Sequence, residues 1–439
     1  MRAQNFSAPE RGLNRARPLW YPSEVMSLAP PSRPVSERAL IFLIGAVQFV
    51  NILDFMMVSP LGPDYAAALD MPEEHIGLVV GAYTLAAGLA GFAGSFFLDR
   101  FDRRKALAVA MLGLALGTLS GALATGMWTL LAARLLAGAF GGPATSLALS
   151  IVADVIPDER RGRALGAVAG AFSIASIIGV PAGLELARRG GWRFPFIVVG
   201  VLGLLIVVFA VRALPPMTAH LARRHAHHVT LADLFGQPLV LLSYLMTATV
   251  MMGGFLVMPH VPAYTQKNLG YPRADFGWLY LAGGVCNFFA MRLAGRVVDR
   301  YGSFTVGTIG SLVVAGLNAA WFIWAPGWMP VMGIFVAYMV TMAFRNVAYN
   351  TLTSKVPASE ERARFMSMQS MVQHAASGVG AALSNFMLGS RADGTLVHMD
   401  RVGLLAVVLT LTIPALLYAV ESRVRGRAAA AALLATGSP

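Results

Sequence analysis

SFFLDRFDRRKA, Ser95 to Ala106, and GRVVDRYGS, Gly295 to Ser303, are two short charged breaks in an otherwise apolar chain. Each carries an Asp-Arg pair, and Asp299-Arg300 follows Asp99-Arg100 by 200 residues. The same offset lays Leu69 on Leu269, Pro72 on Pro272, Gly77 on Gly277 and Pro157 on Pro357 without a gap. These matches fall in hydrophilic turns, where the Ala- and Gly-rich composition of the flanking runs does not force them. The chain reads as one unit used twice.

The runs on either side of the breaks decide what that unit is. The chain is 56% hydrophobic and 13% charged, against roughly 25% charged for an average soluble domain. Its apolar residues gather in runs of about twenty, long enough at about 1.5 Å per residue to cross a hydrocarbon layer of about 30 Å. Backbone amides in lipid must be satisfied within their own segment, so such runs are helices. Twelve spans are read, at 39–63, 75–98, 105–123, 127–152, 164–187, 192–213, 239–264, 274–297, 304–324, 328–354, 365–389 and 401–421. The fold class is an all-α polytopic membrane protein. A six-helix bundle at 39–213 and a second at 239–421 are joined by a polar cytoplasmic linker, 214–238. Residues 1–38 and 422–439 form tails, the first polar, without the apolar core of a signal peptide and expected to be disordered.

The net charge of +12 is spread over many short loops and forms no patch for nucleic acid. Topology accounts for it: 24 of the 34 Lys and Arg fall on the side of the N terminus, which the positive-inside rule places in the cytoplasm with both termini. Trp128, Trp192, Trp278, Trp321, Trp324 and Trp328 lie at or near the opposite span ends, half of an aromatic belt. Cys286 is the single cysteine, which excludes an intrachain disulfide and a cysteine metal cluster. His225 to His228 include three histidines in the linker without a third ligand type nearby and read as a solvated loop. No Ser/His/Asp set or nucleotide-binding loop occurs in the polar segments, so an enzyme is not indicated, nor any cofactor or metal.

The two charged breaks resemble the signature loop of the major facilitator superfamily, Gly-x-x-x-Asp-Arg-x-Gly-Arg-Arg. Ser95 and Asp102 replace its glycines in the first copy, and Ser303 and Phe304 replace its basic pair in the second. RLLAGAFGG, Arg134 to Gly142, is similar to the superfamily's fourth-helix motif. GAFSIASIIGVPAGLEL, Gly170 to Leu186, followed by GWRFPF, resembles the arabinose-efflux and drug:proton antiporter branch. The resemblance covers 39–421. It implies a monomeric transporter of the bacterial inner membrane that exports a small organic substrate, a drug, sugar or amino-acid derivative, in exchange for protons by alternating access. An importer or uniporter on the same scaffold, and a membrane sensor or lipid-moving protein, are the rival readings.

Charges inside the spans are the candidate site. Asp54 lies about 22 Å along span 1 and Arg134 about 9 Å into span 4 from the other side, so the two sit at similar depth. A lone carboxylate there would be costly or protonated, whereas Arg134 favours its ionised form. The pair reads as a proton-coupling site or, alternatively, as a permanent tie between two helices. Gln48 and Asn51 share its helix face. In span 10 Arg345, with Asn346 and Tyr349, is a candidate contact for an anionic substrate, the alternative being snorkelling to headgroups. Gln373 and His374 of span 11 are further substrate candidates.

Asp99, Arg100, Arg103, Arg104, Asp154, Asp299 and Arg300 are read as a gate of ion pairs that break on inward opening. Gly170, Gly179 and Gly183 permit close helix packing, and Pro181 removes one backbone hydrogen bond and bends span 5.

Overall fold

The computed structural model describes residues 36–218, 236–325, 330–358 and 361–436. Residues 1–35, His225 to His228, Trp328 and the middle of the linker lie outside the described residues. Among the described residues there are twelve long helices: α1 Glu37–Met56, α2 Ile76–Phe97, α3 Arg103–Ala122, α4 Met127–Val155, α5 Asp158–Ile174 continued by Val180–Gly190, and α6 Arg193–Ala213. They are followed by α7 Pro238–Val257, α8 Phe276–Tyr301, α9 Ser303–Asn318, α10 Val331–Thr353, α11 Arg362–Met387 and α12 Met399–Thr436.

Among the described residues, 11 helical stretches are long and apolar enough to cross a membrane. The other long helix is α11, whose 26 residues include Gln369, Gln373, His374 and several serines. Its length suffices, and only its polarity sets it apart. A two-stranded hairpin, β1 Gly389–Ser390 with β2 Leu396–Val397, is a small exception to the all-α expectation and links α11 to α12.

Local chemistry sets the helix ends. The Ser36 hydroxyl accepts from the Ala39 amide to start α1, and the Asp102 carboxylate accepts from the Arg104 amide to start α3. α1 stops at Met56, earlier than the expected 63, because Pro60 and Pro63 cannot continue its hydrogen bonding and a short separate helix, Gly62–Ala68, follows. At the other end the last helix passes the expected stop at 421 and runs to Thr436, because RGRAAAAALLAT is a strong helix former without a Pro. In α5 the expected bend takes the form of a π turn, Ala175–Gly179, in which the Val180 amide reaches back to the Ala175 carbonyl. The wider turn precedes Pro181, which has no amide of its own to donate.

Side-chain contacts show the helices alternating in direction. Arg160 at the start of α5 pairs with Glu37 at the start of α1 at 2.9 Å. Arg104 at the start of α3 donates to the Leu214 carbonyl after α6, and Gln237 before α7 donates to Glu361 before α11. These mark one face of the bundle, here the proximal face; the end of α1 and the starts of α2 and α8 lie on the distal face.

Where apolar tails surround a bundle, close backbone packing replaces the hydrophobic effect as glue. Gly138 and Gly142 of α4 supply it against α2: a Cβ on Gly138 would overlap Tyr83 backbone, and one on Gly142 would overlap Ala87 backbone. Gly142→Leu is expected to lower stability by about 3 kcal/mol or more, the upper end of overpacking costs, because the obstacle is backbone and not a flexible side-chain end. Thermal unfolding in detergent checks this, and an unchanged midpoint would mean that α2 and α4 separate freely.

Candidate functional site

Asp54 and Arg134 meet inside the first six helices. The Arg134 Nη1 donates to Asp54 Oδ1 at 3.0 Å and its Nη2 to the Asp54 carbonyl at 3.4 Å. Both side chains are enclosed, Asp54 at 0% and Arg134 at 1% exposure. Thr118 of α3 places its Oγ1 2.7 Å from Asp54 Oδ1 and 2.9 Å from the Leu114 carbonyl. Asp54 Oδ2 has no hydrogen-bond partner.

Tyr83 of α2 lies under the pair, with the Arg134 guanidinium carbon 4.6 Å from its ring centroid. Its hydroxyl donates to Asn51 Oδ1 at 2.5 Å, and Asn51 Nδ2 donates to the Gly141 carbonyl and to Thr145 Oγ1. One polar network therefore ties α1, α2, α3 and α4 together. Gln48, one turn before Asn51, is buried with its Oε1 unpartnered. Thr118 and Tyr83 were not legible as members. Their only signal is that a hydroxyl at span depth needs a partner.

The candidates of the last six helices gather less tightly. Gln373 Nε2 donates to the Tyr349 hydroxyl at 3.1 Å. Arg345 is 1% exposed, with its backbone against Gly310 of α9, so snorkelling does not occur. Asn346 Oδ1 is buried without a partner. His374 is set against Gly88 of α2, where an added Cβ would lie 2.7 Å from its own.

The distal face is sealed by contacts between the first six helices and the last six. Arg273, just before α8, pairs with Asp64 through two bonds, Nε to Oδ1 at 3.1 Å and Nη2 to Oδ2 at 2.5 Å. Ser59 donates to the Met258 and Pro259 carbonyls. Gly77 and Gly81 of α2 bring that helix against Ala381 and Gly378 of α11, while Gly284 of α8 touches Ser176 at the π turn of α5. Arg273→Glu is expected to weaken this seal and Asp64→Arg in the same protein to restore it. Distal-side accessibility to a membrane-impermeant thiol reagent, with a reporter cysteine at Ser59, checks both; equal labelling in all three proteins would deny the pair a role in closure.

On the proximal face Arg103 bridges Asp99 at 2.7 Å and Asp154 at 3.2 Å, clasping the ends of α2 and α4. Asp102 accepts from the Met217 amide as well as capping α3. These ties stay within the first six helices. The second copy is built differently from the expected gate: Asp299 and Arg300 are exposed, and Arg300 stacks over its neighbour Tyr301. With Ser303 and Phe304 in place of a basic pair, α9 is capped instead by Glu421 of α12, which accepts from the Phe304 amide at 2.7 Å. Arg100 is exposed.

Of the packing glycines, Gly179 sits 2.8 Å from Leu53 by its would-be Cβ and Gly183 makes an ordinary contact with Met57. Gly170 does not act as a close-contact residue, because a Cβ there would meet nothing within 4 Å. Glu185 forms local surface pairs with Arg188 and Arg189.

Long alternating helices, twelve among the described residues, with a buried ion pair between the first and fourth, define a polytopic helical membrane protein. Residues 44–381 match the Major Facilitator Superfamily. The chain belongs to that superfamily of membrane transporters. It is 25% identical over 385 residues to the "Uncharacterized MFS-type transporter YtbD" of Bacillus subtilis, spanning 84% of this chain and 90% of that one. It is 28% identical over 276 residues to a "Probable sugar efflux transporter" of Helicobacter pylori, spanning 61% and 68% respectively. Among solved structures, a bacterial homologue of the human lysosomal transporter Spinster, in an inward-facing and occupied conformation, superposes with a TM-score of 0.69 at 15% identity, over 89% of this chain and 98% of that one. At that identity the likeness is one of fold.

Proposed function

We propose that the protein is a proton-coupled exporter of a small organic molecule in the bacterial inner membrane. Two six-helix halves, 39–213 and 239–421, joined by the 214–238 linker, rock against each other, and the Arg-rich proximal face lies in the cytoplasm with both termini. The observation that carries the reading is Asp54: an enclosed carboxylate with one oxygen held by Arg134 and Thr118 and the other without a partner.

Such a carboxylate has two balanced states. Ionised, it is paired with Arg134 and receives the Thr118 proton. Protonated, it donates to Thr118 Oγ1, whose own proton turns to the Leu114 carbonyl 2.9 Å away. Thr118 thus keeps its hydroxyl hydrogen-bonded in either state. The coupling step in this reading is a movement of Arg134 away from Asp54 that exchanges the ion pair for a proton on the carboxylate. One proton crossing 100 mV carries about 2.3 kcal/mol, enough for roughly 50-fold accumulation. The Helicobacter relative's sugar-efflux description supports the export direction.

The test uses energised inverted vesicles containing the protein and a dye that reports internal acidity. Substrates from a panel of sugars, drugs and amino-acid derivatives that enter by exchange for protons collapse the pH gradient. Counterflow of a panel compound without gradient collapse would instead identify a uniporter, with Asp54 and Arg134 as a permanent structural tie.

A further inference from the structure

The last six helices carry acidic residues only at Asp299 and Asp400, near helix ends, and at Glu421, which caps the start of α9 at the proximal face. In their midst Arg345 is fully enclosed, and its Nε and Nη2 have no hydrogen-bond acceptor. A guanidinium remains protonated in proteins and has five N–H donors to satisfy. Buried without a counter-charge it is unfavourable, and evolution could have placed a methionine in the same volume. The first six helices meet the same problem internally, since Arg134 finds Asp54.

The offset of 200 residues puts Gly254 of α7 at the place of Asp54 in α1. It is at Gly254 that the Arg345 guanidinium arrives: a Cβ added there would stand 4.0 Å from Nη2 and 3.6 Å from Met342 Cε. α7 thus presents bare backbone where α1 presents a carboxylate. Tyr338 and Tyr349, on the same face of α10, are the electrostatic neighbours of Arg345. The Tyr338 hydroxyl is buried and unpartnered, and that of Tyr349 is held by Gln373.

We propose that Arg345 is the recognition group for an anionic organic solute, whose carboxylate or phosphate meets the guanidinium and supplies the acceptors that the protein withholds. The planar fork of the guanidinium suits either group, and the Tyr338 hydroxyl adds a neutral donor. This gives the substrate class of the transport reading above and rests on it. Asp54 and Arg345 then divide the work: one half of the molecule holds the proton and the other the anion.

The test measures thermal stabilisation of the purified full-length protein by matched pairs of probes, gluconate against glucose and N-acetylphenylalanine against its amide, with glucose 6-phosphate, chloride and inorganic phosphate as further arms. The expected result is a melting shift with at least one organic anion and none with its neutral partner. Arg345→Gln removes that shift or weakens apparent affinity at least tenfold, and Arg345→Lys, which keeps the charge but loses the fork, falls between. Arg345→Met is expected to melt higher than wild type without ligand, since an uncompensated buried charge is gone. The proposal is overturned if no organic anion of the set shifts the wild type, if the shift survives Arg345→Gln, if neutral partners act equally, or if chloride or phosphate alone reproduces the whole effect as a resident counter-ion. Melting reads binding and not coupling. A shift lost with Arg345 therefore stands whether or not vesicles show proton exchange, and proton exchange of a neutral compound would sink this inference alone.

Discussion

Asp54→Asn is expected to abolish concentrative transport while leaving exchange of substrate down its gradient intact. Asn has the size of Asp and keeps an acceptor for Thr118 and for Arg134 Nη1, so the geometry around 3.0 Å and 2.7 Å is retained. What disappears is the group that binds and releases H+. Accumulation should fall from the roughly 50-fold that one proton at 100 mV supports to none. Arg134 is then a buried charge without a counter-charge, a situation that costs about 3–5 kcal/mol when one partner of a buried pair is removed. The Asn dipole offsets part of this. Adding Arg134→Gln is expected to recover stability and not coupling, which separates the two effects. Preserved uphill transport in Asp54→Asn would refute the coupling role outright.

Gly77→Val is expected to leave the carrier unable to close its distal face. A Cβ on Gly77 would press on the Ala381 carbonyl, lie 2.8 Å from His260 Nε2 and 3.1 Å from Ser384 Oγ. Neither neighbour is free to give way, since His260 and Ser384 are buried and bonded to each other at 2.8 Å. If the overpacking amounts to about 3 kcal/mol in the closed state alone, the closed population drops by about 100-fold, and transport with it. The protein should still fold and bind from the distal side, because the strain vanishes once α2 and α11 separate. Distances between probes on the distal ends of these helices check the trap: a wild-type distribution would show that the seal accommodates the valine. Gly166 and Gly170 make a natural control, since substitution there meets open space.

The buried ion pair was legible because helical rise is a constant: counting residues from the span ends puts Asp54 and Arg134 at one depth without knowledge of the fold. Thr118 and Tyr83 were not, because depth says nothing about how a helix is rotated, and a Thr or Tyr in a span is unremarkable until its neighbours are known. The two signature loops are built differently in the structure. Asp99 finds Arg103, whereas Asp299 has no basic pair after it, and Glu421, far along the chain, takes over the capping of α9. The sequence shows the loss of the basic pair, but not which residue replaces it.

The amino-acid sequence by itself determined the class of solvent, the all-helical polytopic fold, the family and the depth of the charged groups, since these follow from hydrophobic length, the signature loops and local spacing. Only the tertiary structure decided which helix faces meet: that the distal side is shut by Asp64 with Arg273, that Arg345 is enclosed rather than snorkelled, and that Asp54 keeps one oxygen free. The physical reason is that lipid exposure and burial both tolerate apolar surface. Hydropathy therefore fixes that a helix crosses but leaves its rotation to backbone fit, small-residue contacts and the few polar groups that must find one another.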